Sequence, residues 1–199
     1  MKVSGIQDAQ IPNNSQDLVI SNVPFGNYKI FDKSFKGEKA EFQNRIHNYF
    51  FAKAIDMARE GGIIAFVTSK GVMDAAGNES LRKYLNDNAE FLGAVRLPNN
   101  AFKNNANTEV VTDIIFLKKN TTGAKNNPDF VSIKQVEATH KDGEKQMVNV
   151  NNYFVENPQN MLGNIVAGGL YSREDYTVEN KTGYDLSKAI KNALPQGVY

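Results

Sequence analysis

The order of elements in this chain of 199 residues predicts an α/β fold, with helices covering a mostly parallel sheet. Three observations carry that expectation. Leu18–Ile20 and Ile63–Thr68 are apolar without alternation, the pattern of strands covered on both faces. Between them, Phe42, Ile46, Tyr49, Phe50, Ala54 and Met57 recur at helical spacing. The link from a third strand, Phe91–Leu97, to a fourth, Val110–Leu117, is short and rich in Asn. It leaves no room for a crossover helix, so the fourth strand is expected to return antiparallel.

Taken in order, residues 2–7 read as the end of a strand and Asp8–Ser15 as loop chemistry. Asp17–Ser21 is the first complete strand. It is stopped by Asn22, Val23, Pro24, Phe25 and Gly26, and a loop over residues 26–40 follows in which Tyr28, Phe31 and Phe35 alternate with Lys29, Lys33, Lys36 and Lys39. A helix is expected over Glu41–Glu60, ended by Gly61-Gly62. After the second strand, Asn78 is placed to cap a short helix from Glu79 to about Asn88. Pro98 closes the third strand. The composition changes after Lys119. Residues 120–129 read as a polar linker between a first unit, 1–119, and a C-terminal extension, 130–199. In the extension, Phe130–Val136 reads as a strand. Residues 149–164 read as irregular structure pinned by Tyr153, Phe154, Met161 and Leu162, and Asp185–Leu194 as an amphipathic helix.

The formal net charge of +1 excludes a generally basic nucleic-acid glove, so any nucleic-acid contact must be a local patch. Without Cys there are no disulfides, thiolate nucleophiles or thiolate metal sites. No run of about 18 apolar residues is present, and the N-terminus has no signal-peptide core. A soluble, cytoplasmic chain with no membrane partner is expected. His47 lies inside the first helix and reads as packing. His140 has no second ligand at metal spacing, so no metal is expected.

The chemistry concentrates at the end of the first strand. A strand ending in Asn-x-Pro-aromatic brings an amide oxygen, backbone carbonyls and a ring face to the carboxyl edge of the sheet, where open α/β folds bind ligands. Such a group accepts hydrogen bonds from an exocyclic amine while the ring stacks on the base that carries it. Asn22-Val23-Pro24-Phe25 resembles the Asn-Pro-Pro-Phe/Tyr motif of amino-methylating, adenine-specific DNA methyltransferases. The departure is Val23, where the common pattern has its first proline; a carbonyl is what the chemistry needs there, and Val supplies one. Three parallel strands followed by an antiparallel one also resemble the later half of the class I (Rossmann-like) methyltransferase sheet. The run Asn-Tyr-Phe-Val-Glu-Asn-Pro (residues 152–158), with Leu162-Gly163 after it, resembles a segment that follows this fold in bacterial mobile-element methylases linked to helicases.

The resemblance implies methyl transfer from S-adenosylmethionine to the N6 amine of a flipped adenine, with Asn22, Val23, Pro24 and Phe25 as the catalytic group. It implies that Asp8 and Ala9 meet the adenine of the cofactor. Tyr28, Lys29 and Lys33 are candidates for DNA contact, and Lys103 a weaker one. No Gly-x-Gly turn between a strand and a helix is found. The expectation is therefore a target-base half whose isolated chain is inactive and binds S-adenosylmethionine weakly or not at all. Its partners would be DNA and either a missing N-terminal methyltransferase half or a helicase-containing protein. A strand at 17–21 with no neighbour on one side also suggests a homodimer through the exposed sheet edge, or the C-terminal segment folding back. The alternative from another class is a non-catalytic docking remnant of a methylase-helicase assembly.

Overall fold

In the computed structural model, residues 5–9, 11–26, 28–102, 110–169, 172–181, 183 and 185–196 are described. Lys103 lies outside them, as does most of the link between the third and fourth strands. Four strands form the main sheet: β1 (Gln16–Asn22), β2 (Ala58–Ser69), β3 (Ala89–Leu97) and β4 (Thr112–Lys119). Their order is β1-β2-β4-β3. β1 and β2 are parallel, whereas β4 runs antiparallel to both β2 and β3. Three strands thus share one direction and the last is inserted between the second and third, the arrangement implied by the resemblance to the class I sheet.

Two helices cover one face, α1 (Ile46–Met57) between β1 and β2 and α3 (Glu79–Asn88) between β2 and β3. The short α2 (Gly71–Asp74) lies just after β2. Phe51 of α1 meets Phe66 of β2 edge-on, with centroids 5.1 Å apart, and Val19, Ile64 and Ile115 are buried in the same cluster. The opposite face is covered in part. A C-terminal helix, Leu186–Ala193, packs against Val95, Leu97 and Ile114. At the β1 edge, Leu18 is 55% and Ile20 73% exposed. The apolar run at 18–20 predicts cover on both faces, but only Val19 is buried, because the described residues place no element over the other face of this edge strand. β1 is also an edge strand, and no described residue of the C-terminal segment pairs with it. Leu194 and Pro195 approach only its beginning, where they line an apolar groove of about 400 Å³ with Leu18, Ile63 and Phe116.

Several expected boundaries move. Ile6–Asp8 is a 3₁₀ turn and not a strand end. The helix expected over Glu41–Glu60 is split: Gly37–Asn44 is 3₁₀, and the α-helix ends at Met57. Gly61 and Gly62 do not stop the helix. They form an irregularity inside β2, where the pairing jumps from Gln16↔Ala58 to Leu18↔Ile63. Gly61 sits at φ +77°, a conformation that favours glycine, and a Cβ on Gly62 would stand 2.7 Å from the Gln16 carbonyl, so the backbones approach closely there only because residue 62 is glycine. Asn78 precedes α3 without a side-chain cap. Its Nδ2 donates to the Gly71 carbonyl, and its Oδ1 accepts from Arg45 and Asn48.

The extension contains two hairpins. One joins Ile133–Thr139 to Lys145–Asn151, and the other joins Asn164–Ala167 to Tyr176–Glu179. The strand expected at Phe130–Val136 therefore begins later, and the region expected to be irregular holds a strand end, a short helix at Asn152–Glu156 and a 3₁₀ turn at Pro158–Asn160. Tyr153, Phe154, Met161 and Leu162 are buried, as expected of its pins. Phe130 stacks on Phe91 at 4.3 Å, which seats the extension on β3.

Candidate active site

β1 ends at Asn22, whose neighbour across the parallel ladder is Val67. The next residues part company. Val23 is fully buried, and its N–H donates to the Val67 carbonyl at 2.9 Å. This explains how Val stands where the commoner pattern has proline. The side chain fills the core, contributing about 1.5–3 kcal/mol of apolar burial, and the N–H satisfies a strand-end acceptor that proline would leave open. Asn22, Pro24 and Phe25 are exposed. With Val23 as the anchor, the amide, the proline and the ring are held at the carboxyl edge, free to meet a ligand.

The Phe25 ring lies 6.1 Å from that of His47, in the first turn of α1, at an angle of 49°. The His47 Nδ1 is 3.1 Å from the Thr68 hydroxyl of β2. Burial pushes the imidazole pKa below its ordinary value and favours the neutral ring. Beside these residues is a cavity of about 270 Å³, lined by Gly26, His47, Asn48, Ser69, Gly71 and Asn78 among others. Asn48 donates from Nδ2 to Asn78 at 3.0 Å, but its own Oδ1 has no hydrogen-bond partner among the described residues. Larger cavities open in the extension, one of about 460 Å³ near His140 and Gly168 and one of about 500 Å³ near Phe154 and Pro158. Neither touches the strand-end motif. The chemistry favours the smaller cavity, which lies at the carboxyl ends of β1 and β2.

Of the expected cofactor contacts, Asp8 ends the short 3₁₀ turn before β1 and Ala9 follows it in extended conformation. Asp8 is exposed and accepts from the Gln7 amide. Tyr28, Lys29 and Lys33 are exposed on the loop that follows the motif. That loop is anchored by buried Asp32, which accepts from Ser34, Lys53 and Tyr49. Burial alone would raise the Asp32 pKa, but the hydrogen bonds from Ser34, Lys53 and Tyr49 outweigh it and hold the carboxyl well below its usual range. The sequence did not single out the approach of His47 to Phe25, the place of Asn48 in the cavity wall or the anchoring of the loop by Asp32. Their roles depend on where the start of α1 falls against β1, and residue spacing along the chain does not show that.

A family model for N-6 DNA methylases matches residues 4–159. The chain is 33% identical over 111 residues to "Defense against restriction protein B" of Escherichia phage P1, a match covering 54% of this chain and 5% of that protein. Among solved structures, the M protein of the type I restriction enzyme EcoKI superposes with a TM-score of 0.49 at 23% identity, over 59% of this chain and 23% of the other. A candidate class I S-adenosylmethionine-dependent methyltransferase from Listeria monocytogenes gives 0.47 at 22% identity, over 60% and 36%. The chain thus spans well under half the length of each of these relatives. The family match takes in most of the sequence, from before β1 into the extension, and the chain belongs to the N-6 DNA methylase family.

Proposed function

We propose that this chain is the target-base half of an adenine-N6 DNA methyltransferase, with residues 1–119 forming a partial methyltransferase domain and 130–199 its C-terminal extension. The observation that carries the reading is the exposure of Asn22 and Phe25 on either side of buried Val23, at the sheet edge beside the His47 cavity. An extruded adenine stacks on Phe25. Its N6 amine donates one hydrogen bond to the Asn22 side chain and another to the carbonyl of Val23 or Pro24. Both bonds draw the nitrogen lone pair out of conjugation with the ring and aim it outward, so the residues act by positioning and electrostatics, without a covalent intermediate. Pro24 fixes its own φ, so the acceptors are set before the base arrives. Extrusion costs a few kcal/mol, which stacking on Phe25 helps offset.

S-adenosylmethionine, when bound, supplies an electrophilic methyl group. Asp8 and Ala9 would meet the adenine end of this cofactor. Among the described residues no Gly-rich turn joins a strand to a helix, so backbone donors for the methionine end must come from elsewhere. The chain alone should therefore be inactive. Tyr28, Lys29 and Lys33 would track the DNA. The natural completion is a missing N-terminal methyltransferase half or a helicase-containing partner, with a two-fold pairing of β1 edges as a further means of cover. A second reading, a non-catalytic docking module in such an assembly, is favoured by the exposed Leu18 and Ile20.

Calorimetric titration of S-adenosylmethionine into the chain, alone and then mixed with a methyltransferase N-terminal half, tests the proposal. Negligible heat alone, with binding and methyl transfer to DNA on mixing, is the expected result. Micromolar binding or transfer by the chain alone would overturn the half-site reading, and a mixture that binds cofactor but never methylates would favour the docking module.

A further inference from the structure

Phe31 is 76% exposed, more than any other large apolar side chain among the described residues. Exposed rings usually sit on mobile tips, but this one is held from both sides. The N–H of Ile30 donates to the Gln43 carbonyl at 3.0 Å, and the N–H of Asp32 donates to the Gln43 side-chain oxygen at 2.7 Å. Ile30 packs against the main core and Asp32 is buried. Two residues further on, Ser34 donates to Asp32 from both its N–H and its hydroxyl, and Phe35 is buried against Tyr49. A side chain with about the apolar surface of a core residue is thus presented to water on a fixed mount. Pre-ordering of this kind lowers the entropy cost of contact with a partner.

The surroundings identify the partner's chemistry. Lys29, Lys33 and Lys36 are exposed on the same short loop, and the acid among them, Asp32, is already met by Lys53. The loop leads directly from Phe25 and includes the half-exposed ring of Tyr28. Flat rings interleaved with cations fit a polyanion that carries flat bases, whereas an apolar protein pocket would gain nothing from the lysines. We infer that Phe31 is a stacking ring for an unpaired nucleobase of a DNA strand, distinct from the base seated on Phe25, with Lys29 and Lys33 on the flanking phosphates. The inference rests on the reading of this sheet edge as the place where DNA is handled.

The test is fluorescence anisotropy of the full chain with a labelled single-stranded oligonucleotide and with the fully paired duplex of the same sequence. Phe31→Ala should weaken single-strand binding by about five- to a hundred-fold, the usual cost of losing one base–aromatic stack, and should spare the paired duplex. Phe31→Tyr should restore binding. The salt dependence of single-strand binding should be unchanged in Phe31→Ala and shallower in Lys33→Gln, since only the second loses a phosphate contact. Equal affinity of wild type and Phe31→Ala for single strands would overturn the inference and leave a protein partner for the ring. Equal losses on both DNA forms would overturn it as well. Absence of binding to any DNA by the wild type would remove the DNA reading of the whole edge, a failure separable from loss of stacking alone.

Discussion

Arg96 and Asp113 face each other on adjacent antiparallel strands, with the guanidinium and carboxylate joined by two parallel hydrogen bonds of 2.7 Å. Both side chains are fully buried. The remaining donor of Arg96 reaches Asp74 of α2 at 2.8 Å and also contacts the Tyr176 hydroxyl of the last hairpin, while the guanidinium carbon lies 4.2 Å from the centre of the Phe154 ring. One charged side chain thus ties β3 and β4 to α2 and to two parts of the extension. Burial would lower the Arg96 pKa, but the paired carboxylates of Asp113 and Asp74 keep it well above its ordinary value. Replacing one partner strands the others. Arg96→Met is expected to cost about 3–5 kcal/mol, as for other broken buried pairs. Urea unfolding followed by circular dichroism measures this, and a cost under about 1 kcal/mol would show that the network is not a structural tie.

Asn22 and Phe25 should separate kinetically in the complemented enzyme. In the proposed mechanism Asn22 accepts from the reacting amine, so Asn22→Ala should lower kcat by about 10²–10³, or about 2.7–4 kcal/mol, and leave cofactor affinity unchanged. Phe25→Ala should act mainly on binding of the extruded base, raising KM for DNA. Steady-state methyl transfer with labelled donor reads both, and full activity in both variants would remove the motif assignment.

Val23→Pro restores the commoner motif and removes the N–H that donates to Val67. Leaving that carbonyl without its partner is expected to cost about 1–3 kcal/mol. Thermal unfolding gives the comparison, and an unchanged midpoint would mean that water or a shifted backbone takes over the bond.

Asp32 should make the loop after the motif sensitive to acid. Its folded-state pKa lies below that of the unfolded chain. The folded protein therefore binds fewer protons, and the stabilisation is fully present above the unfolded value near 4. It is lost as pH falls below that value toward the depressed folded pKa. Asp32→Asn should unfold more easily at pH 7 and show a flatter loss of stability below about pH 4. Denaturant midpoints at several pH values test the slope, and parallel curves for the two proteins would remove Asp32 from the account.

The main sheet was legible in the sequence because each of its signals is local. Apolar runs marked β1 and β2, helical spacing marked α1, and a connection too short for a helix set the antiparallel return. The signal failed where a residue type has two uses. Gly61-Gly62 reads as a helix stop, yet it serves as a point of close backbone approach inside β2. Asn78 reads as a cap, yet it bridges Arg45, Asn48 and Gly71. The position of Asn22 through Phe25 at the end of β1 was legible because the run is contiguous. Their division into buried Val23 and exposed neighbours was not, nor was the approach of His47. Those depend on how the strand end meets β2 and where α1 begins.

The bare β1 edge divides the tolerance of the chain to substitution into two classes. Val19 is held by the fold, so its replacement registers in any measure of folding. Ile20, on the opposite face of the same strand, contributes little to the chain's own stability while it faces water. A polar residue at Ile20 would therefore be silent in a stability screen of the single chain and costly wherever another surface covers it. Comparing mutational tolerance of the lone chain with that of the chain mixed with a candidate partner, position by position along β1, tells whether that partner covers the strand.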